Sequence, residues 1–423
     1  MDSVKRLVRE KQEDIRTKIM WGDYGGKLEA QAVLFQQRFG DLASPDNRTR
    51  KNDRAKISGS MRQERFRLIM VFLTILYDSG YHPKYLWNLG PEHYERVVTY
   101  LVTHGMKPGN LRKHIAAFRC LYGWMDKSKA LKTNEELLPK HYHRQPTHAQ
   151  RDPTWSGNGI HLPAVLTQLE GQPLWVPAAL ELIGAFGLRR AESLLIDLHL
   201  ADRGFYLVIY IGSKGGRWRC APIDEPRKRA LLDRLKGIFP AGQALIGSLH
   251  EISKDSAKQK FSRVLREVVG ISKEESGCTS HGLRAEYLCI LYEKLTGEKA
   301  PIQGGAPVAP RRDRAARAIL ARVSGHTRRH ISRYYIGKVL PGWRGTTEDA
   351  NRPLSISQTL GFLLKHEAKV LERLRPEITA ALEARKASRS KPSYASQHGR
   401  TEMRRRRRSA PRLPAKSEAF QTK

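Results

Sequence analysis

The stretch FYLVIYIGSKGGRWRCAPI, residues 205–223, decides the fold. Its first eight residues are rich in β-branched and aromatic side chains, SKGG (213–216) has the composition of a tight turn, and RWRCAPI (217–223) returns. This pattern predicts a β-hairpin, and it is the clearest strand signal in the chain. All the other strong patterns are helical, so we expect a mainly α protein with a small antiparallel β-sheet.

Apolar residues recur at three- and four-residue steps on both sides of the hairpin, which predicts helices. Near the hairpin, the predicted helices are 161–169, 176–187, 189–196, 225–238, 254–268, 280–295, 311–323, 330–339 and 355–374. Further towards the N-terminus they are 4–19, 27–39, 61–77, 91–103 and 110–125.

These patterns divide the chain into five parts. Residues 1–60 are a helical extension, 61–128 a compact helical domain, and 159–386 a mixed α/β domain with C-terminal helices. Between the two domains, 129–158 is rich in Pro, His, Gln and Arg and predicts a flexible or extended linker. The segment 387–423 contains five consecutive arginines and predicts a disordered basic tail.

The charge of the chain indicates a polyanionic partner. Of the 423 residues, 76 are Lys or Arg and 42 are Asp or Glu, a formal net charge of +34. Only part of this excess lies in the tail, because 385–423 contains 13 basic and two acidic residues. A body that basic favours nucleic acid. At this stage a basic membrane-surface protein and an RNA-packaging protein remain open.

Several classes of protein are excluded. The sequence shows no apolar stretch long enough to span a bilayer, no signal peptide, and no phosphate-binding G-x-x-x-x-G-K-[ST] loop. The four cysteines have neither zinc spacing nor a disulfide pattern, which predicts reduced, buried thiols in a cytoplasmic protein. We therefore expect no metal, no nucleotide cofactor and no membrane partner. The cysteines are Cys120, Cys220, Cys278 and Cys289.

Four short motifs follow one another in the second domain: GLRRAE (187–192), the turn SKGGR (213–217), SHGLRAEY (280–287) and SGHTRRHISRYY (324–335). Each has an ordinary structural explanation by itself. Their joint order of arginine, lysine, H-x-x-R, G-H and tyrosine is far more specific.

These motifs resemble those of the tyrosine recombinases, the phage-integrase family. The resemblance is specific over about 155–345, and weaker over 61–128, which is placed like the family's SAM-like helical core-binding domain. The matching positions are Arg189, Lys214, His281, Arg284, His326 and Tyr335. The tyrosine of the family typically lies nine positions after the second histidine, which favours Tyr335 over Tyr334. Arg190 fits the first motif less well than Arg189.

The resemblance implies a site-specific DNA recombinase or integrase that works through a covalent 3′-phosphotyrosyl intermediate, without metal or ATP. Arg189, Arg284 and His326 would stabilise the charge that develops on the phosphate, since guanidinium groups bind phosphate oxygens bidentately. Lys214 would protonate the leaving 5′ oxygen, and His281 would accept the tyrosine proton or support the site.

The resemblance also implies the partners. They are double-stranded DNA with short inverted-repeat core sites, further copies of the chain in a dimer or tetramer, and accessory DNA-bending proteins. A prokaryotic, DNA-associated protein of a mobile element is expected. Candidate DNA contacts are Arg112, Lys113, Arg119, Arg217 and Arg219.

Other hypotheses remain at this point. One is a non-catalytic DNA-binding relative of the same fold, and another is a topoisomerase IB-like or resolvase activity. Residues 1–60 are either a DNA-binding arm or a plain extension. The segment 301–314 is a predicted loop insertion, and the helix 355–374 packs either on a neighbouring protomer or on its own chain.

Overall fold

The computed structural model describes residues 18–19, 27–40, 57–143, 148–213, 216–247, 252–326 and 328–390. They belong to two compact units, one up to Pro146 and one from Thr147. The described chain is mainly helical with one two-stranded antiparallel sheet, which confirms the predicted fold class. Most of the predicted helix 4–19 and the tail beyond 390 lie outside the described residues.

The first unit is a helical domain. Its longer helices are α1 (Leu28–Phe39), α2 (Gly59–Asp78), α3 (Pro91–Thr103) and α4 (Pro108–Trp124). Aliphatic and aromatic side chains form its core, where the ring centroids of Phe72 and Phe118 lie 4.7 Å apart. The Tyr122 hydroxyl donates to the Gly90 carbonyl at 2.8 Å, which joins α4 to the start of α3. Across the described ranges, no helix is long and apolar enough to cross a membrane.

The predicted linker, 129–158, differs from the expectation. Leu131 and Tyr142 are buried in the core of the first unit, and Trp155 is fully buried in the core of the second. The Trp155 indole donates to the Thr279 carbonyl at 2.9 Å. Isolated large apolar residues in a polar stretch thus anchor the segment to both units, although its composition resembles that of an extended connector.

The second unit surrounds the hairpin with helices. Its helices and strands are α5 (Leu162–Gln168), α6 (Trp175–Phe186), α7 (Arg190–Leu195), β1 (Tyr206–Ile209), β2 (Arg219–Pro222), α8 (Pro226–Ile238), α9 (Lys254–Val269), α10 (Ser280–Thr296), α11 (Pro310–Val323), α12 (Arg333–Ile336) and α13 (Gln358–Ser390). Further short helical segments, among them Leu198–Ala201 and Thr347–Asn351, connect them.

The hairpin forms as predicted, with shorter strands. Tyr206 pairs with Pro222 and Ile209 pairs with Arg219 in antiparallel register. All eight strand residues are buried, which explains why both strands lack the alternation of a half-exposed sheet. The turn between the strands contains Lys214 and Gly215, which lie outside the described residues.

Helix α13 is longer than the predicted 355–374 and packs on its own chain. It continues through Pro376, although proline removes a helical hydrogen bond. Leu374 and Ile378 on either side of that proline are buried in the core of the unit, and this packing offsets the lost bond. Glu367 of the same helix accepts from the backbone N–H of Cys220 in β2 at 2.8 Å.

We expect Ile378→Ala to lower the free energy of unfolding of the second unit by about 2–5 kcal/mol, because a buried side chain leaves a cavity. Phe362→Ala is the matched control on the same helix. Phe362 is 46% exposed, so we expect a change within about 0.5 kcal/mol. Urea unfolding followed by circular dichroism measures both. Equal losses would contradict the packing of α13 described above.

Candidate active site

The carboxylate of Glu192 lies at the centre of the site. It is fully buried in the first turn of α7. Its oxygens accept from the backbone N–H and the guanidinium of Arg189, both at 2.7 Å. They also accept hydrogen bonds from both terminal nitrogens of Arg219 at 2.7 Å and from the hydroxyl of Ser213 at 3.0 Å. One carboxylate therefore connects α7, strand β2 and the hairpin turn.

This arrangement keeps Glu192 ionised. Burial by itself would raise its pKa, but the hydrogen bonds and charges of Arg219 and Arg189 outweigh burial and hold the pKa well below the usual range. The negative charge partly neutralises the guanidinium groups around it, which allows several arginines to lie close together.

A backbone carbonyl joins the two arginines of the motifs. The Ser324 oxygen accepts from Nη2 of Arg189 at 2.9 Å and from Nη2 of Arg284 at 2.6 Å. Arg284 also donates to the carbonyl of Gly187. The following residue, Gly325, has φ +72°, and an added Cβ would lie 3.2 Å from Cδ of Arg219. Glycine thus fits both the left-handed backbone and the crowded position beside these arginines.

The phenol of Tyr335 lies against the same group. Its hydroxyl is 3.4 Å from Nε2 of His326, and Nη2 of Arg189 is 3.4 Å from that same nitrogen. The ring centroid of Tyr335 is 5.3 Å from that of His281 and 5.8 Å from Cζ of Arg284. The neighbouring Tyr334 is 48% exposed, whereas Tyr335 is 6% exposed.

Both histidines are held neutral at pH 7. Neighbouring side chains partly desolvate the His281 ring, and this desolvation, followed by the positive charges of Arg284 and Arg189, lowers its pKa to about 4. The rest of the residue remains accessible to solvent. Burial and the charge of Arg189 lower the pKa of His326 to about 4 in the same way. Because a guanidinium only donates, the contact with Arg189 favours the tautomer of His326 in which Nε2 accepts and Nδ1 carries the proton.

The structure thus brings together five of the six predicted catalytic positions, which are Arg189, His281, Arg284, His326 and Tyr335. The sixth, Lys214, lies outside the described residues. Its neighbour Ser213 bonds to Glu192, so the described hairpin leads to the site at that point. The expectation was that His281 accepts the tyrosine proton or supports the site. The hydrogen-bond contact of the phenol is to His326, and the His281 ring lies beside the phenol ring.

The candidate DNA contacts need a correction. Arg219 is 2% exposed, and all three of its guanidinium nitrogens donate within the protein, to Glu192 and to the Val323 carbonyl. It is therefore an internal partner of Glu192, and not a surface contact. The sequence of β2 gives no sign that Arg219 is buried. Both faces of the hairpin are covered, so polar and apolar residues do not alternate between an exposed face and a buried face.

The other candidates differ in exposure. Arg112 donates to the Tyr142 and His143 carbonyls, and Arg119 donates to the Lys132 carbonyl, so both hold the end of the first unit. Lys113 and Arg217 are exposed, and their contact with DNA stays a prediction.

Sequence reasoning missed the group that anchors the turn of Tyr335. The predicted helix 330–339 is in fact a 3₁₀ turn followed by α12, which ends at Gly337 with φ +86°. The buried Arg317 donates to the carbonyls of Gly337 and Lys338, at 3.0 and 3.1 Å. Its Nε donates to Asp313, which also accepts from the Tyr292 hydroxyl. The sequence feature that could have indicated this anchor is the spacing of Asp313 and Arg317, at i and i+4 in α11.

The segment 301–314 contributes to the same anchor. An added Cβ at Gly337 would lie 3.0 Å from the backbone nitrogen of Ile302, so the chain at 302 packs directly against the end of α12. The latter part of the segment is not a loop, because α11 begins at Pro310. The insertion therefore supports the turn of Tyr335 from behind.

The chain is similar to known proteins in structure rather than in sequence. No protein-family model matches the sequence, and no curated protein does. A lambda integrase tetramer bound to a Holliday junction is similar at 17% identity and TM-score 0.46, covering 68% of this chain and 75% of that one.

Two further solved structures are also similar. XerH recombinase bound to a palindromic difH substrate has 14% identity and TM-score 0.43, with 73% and 92% covered. The Tn1549 transposon integrase with transposon right end DNA has 13% identity and TM-score 0.41, with 70% and 93% covered. These proteins are tyrosine recombinases, the family that the motifs resemble. At such low identities and scores, the functional argument rests on the site itself.

We expect Glu192→Gln to lower the free energy of unfolding by about 3–5 kcal/mol, because it leaves buried guanidinium groups without their counter-charge. Asp255→Asn is the control, since Asp255 forms an exposed pair with Lys258 and should change stability by less than about 1 kcal/mol. Urea unfolding measures both variants. A Gln variant as stable as the parent would contradict the role given to the carboxylate.

We expect the free energy of unfolding to fall as the pH is lowered from 7 to 5. Unfolded histidines bind a proton near pH 6.5, whereas His281 and His326 bind one only near pH 4, so acid favours the unfolded chain in this window. The double variant His281→Asn/His326→Asn should show a shallower slope in urea unfolding at each pH. Equal slopes would show that these rings are not held neutral.

Proposed function

We propose that this protein is a tyrosine recombinase that cleaves and rejoins DNA strands at specific sites through Tyr335. The observation that supports it best is the cluster around the phenol. Its hydroxyl contacts a neutral histidine, and that histidine and the phenol ring lie beside two arginines from distant parts of the chain. A nucleophile, a proton acceptor and fixed cationic donors are the groups that phosphoryl transfer needs.

The proposed step conserves atoms and charge. The Tyr335 oxygen attacks the phosphorus, its bond to phosphorus forms, and the bond from phosphorus to the 5′ oxygen breaks. The phenol proton passes to a neutral imidazole, His326 on the observed contact or His281 on the sequence-based expectation. Lys214 then protonates the leaving 5′ oxygen. Attack of a 5′ hydroxyl on the phosphotyrosine reverses the step, so the bond energy is retained.

DNA entry requires a movement of Tyr335. Arg284 is fully buried, and the ring of Tyr335 lies over its guanidinium. The Nε of Arg284 has no hydrogen-bond partner, although it is buried. A scissile phosphate between the phenol and the arginines would displace the ring and meet this donor.

The partner that we propose is duplex DNA with short inverted repeats, bound by two or four copies of the chain. The net charge of +34 supports a polyanionic partner. Dimers and tetramers on DNA are seen in the similar lambda integrase structures. We propose a cytoplasmic location in a prokaryote, and the four free, buried cysteines fit the reducing environment of that compartment.

The direct test is a covalent adduct. A pool of duplexes with a nicked, randomised core is incubated with the protein, and adducts are isolated on denaturing gels and sequenced. We expect Tyr335→Phe to abolish the adduct, because the attacking oxygen is lost. Tyr334→Phe is the matched control and should keep it, since this ring is exposed outside the cluster.

Each alternative has its own result in this experiment. An adduct retained by Tyr335→Phe and lost in Tyr334→Phe would reverse the assignment of the nucleophile. Parent protein that binds DNA without any adduct would indicate a non-catalytic relative. Adducts without an enriched sequence would indicate a topoisomerase-like activity.

A further inference from the structure

The second arginine of the GLRRAE motif faces a different environment from the first. Arg189 bonds to Glu192, Ser324 and His326, whereas the side chain of Arg190 bonds only to Oγ of Ser262, at 2.5 Å. Among the described residues, Arg190 has no carboxylate partner. It is half-buried, and the one hydrogen bond to Ser262 leaves other N–H donors of its guanidinium accessible to a ligand.

Arg190 lies in the wall of a cavity that borders the active site. The cavity has a volume of about 410 Å³ and lies between α7, α9 and the start of α10. His281 of the catalytic cluster lines it as well, so the cavity and the site share a wall. Its polar lining includes the hydroxyl residues Ser262, Thr279 and Ser280.

The charge of the lining favours an anion. Besides Arg190, the basic residues are Arg266 and Lys273, against one carboxylate, Glu274. Arg266 has its own exposed partner in Glu267 at 3.0 Å. The lining therefore keeps a net positive charge to which Arg190 and Lys273 both contribute, and the hydroxyl groups supply neutral donors around Arg190.

A DNA strand supplies such an anion at this place. Its phosphates follow one another about every 3.4 Å along the helix axis, so a scissile phosphate always has charged neighbours. We propose that the cavity binds the backbone phosphate adjacent to the one that Tyr335 attacks, with Arg190 as its main donor. This inference rests on the proposed function. Arg189 and Arg190, which are consecutive in the GLRRAE motif, would then contact two different phosphates.

The experiment uses the full chain and the nicked duplex recovered from the adduct selection. Arg190→Gln should slow adduct formation roughly 10- to 100-fold, the usual contribution of a charge-assisted hydrogen bond. Arg190→Lys should restore part of the rate. Arg234→Gln is the control for loss of one positive charge, because Arg234 pairs with Glu181 at the surface, and its rate should stay near that of the parent.

Neutral methylphosphonates placed at single positions then identify the phosphate. At the adjacent position that Arg190 contacts, the parent should fall to the rate of Arg190→Gln, and the variant should fall no further. At positions remote from the nick, the ratio of the two rates should be unchanged. This pattern assigns the ligand to the DNA backbone rather than to free phosphate.

Two results would overturn the inference. The first is an Arg190→Gln variant that forms adduct at the parent rate. The second is a ratio of parent to variant rates that stays the same wherever the methylphosphonate is placed. Circular dichroism and thermal melting show whether the variant is folded, and Arg190→Lys provides a second, milder change. Failure of the proposed function looks different, because the parent protein itself would then form no adduct.

Discussion

The site depends on one buried carboxylate. Guanidinium groups at close range repel one another, and burial makes their charge more costly still. Glu192 relieves both costs, because it accepts hydrogen bonds from Arg189 and Arg219 and lies 4.0 Å from Arg284. Its position in the first turn of α7 also fixes the backbone of Arg189. The helix, the hairpin strand and the turn before Lys214 are thereby held in one arrangement.

Other elements hold the tyrosine against that centre. Arg317 fixes the chain just after α12, and the backbone N–H of Ala149 donates to the Arg333 carbonyl at 2.9 Å. Helix α13 reinforces the hairpin through Glu367. Tyr335 and the arginines thus come from separate segments, and each segment is fixed by at least one contact with a residue far away in sequence.

Much of this arrangement could be predicted from the sequence, since periodicity and turn composition are local. The hairpin and most helices of both units lie within a few residues of the expected bounds, and the motif residues that are described meet in space. Long-range pairing was not predictable. Nothing local distinguishes Arg219, which turns inwards to Glu192, from Arg217, which is exposed. Likewise, Trp155 and Tyr142 become buried only through partners outside their own polar segment.

The anchor at Gly337 has a consequence for any assembly on DNA. Because Arg317 and Ile302 of the same chain hold the end of α12, the short turn that carries Tyr335 cannot reach far from its own arginines. If the protein works as proposed, each subunit would use its own phenol beside its own arginines and attack in cis. In a mixed assembly, a subunit without its phenol would be silent, and a neighbour could not complement it in trans.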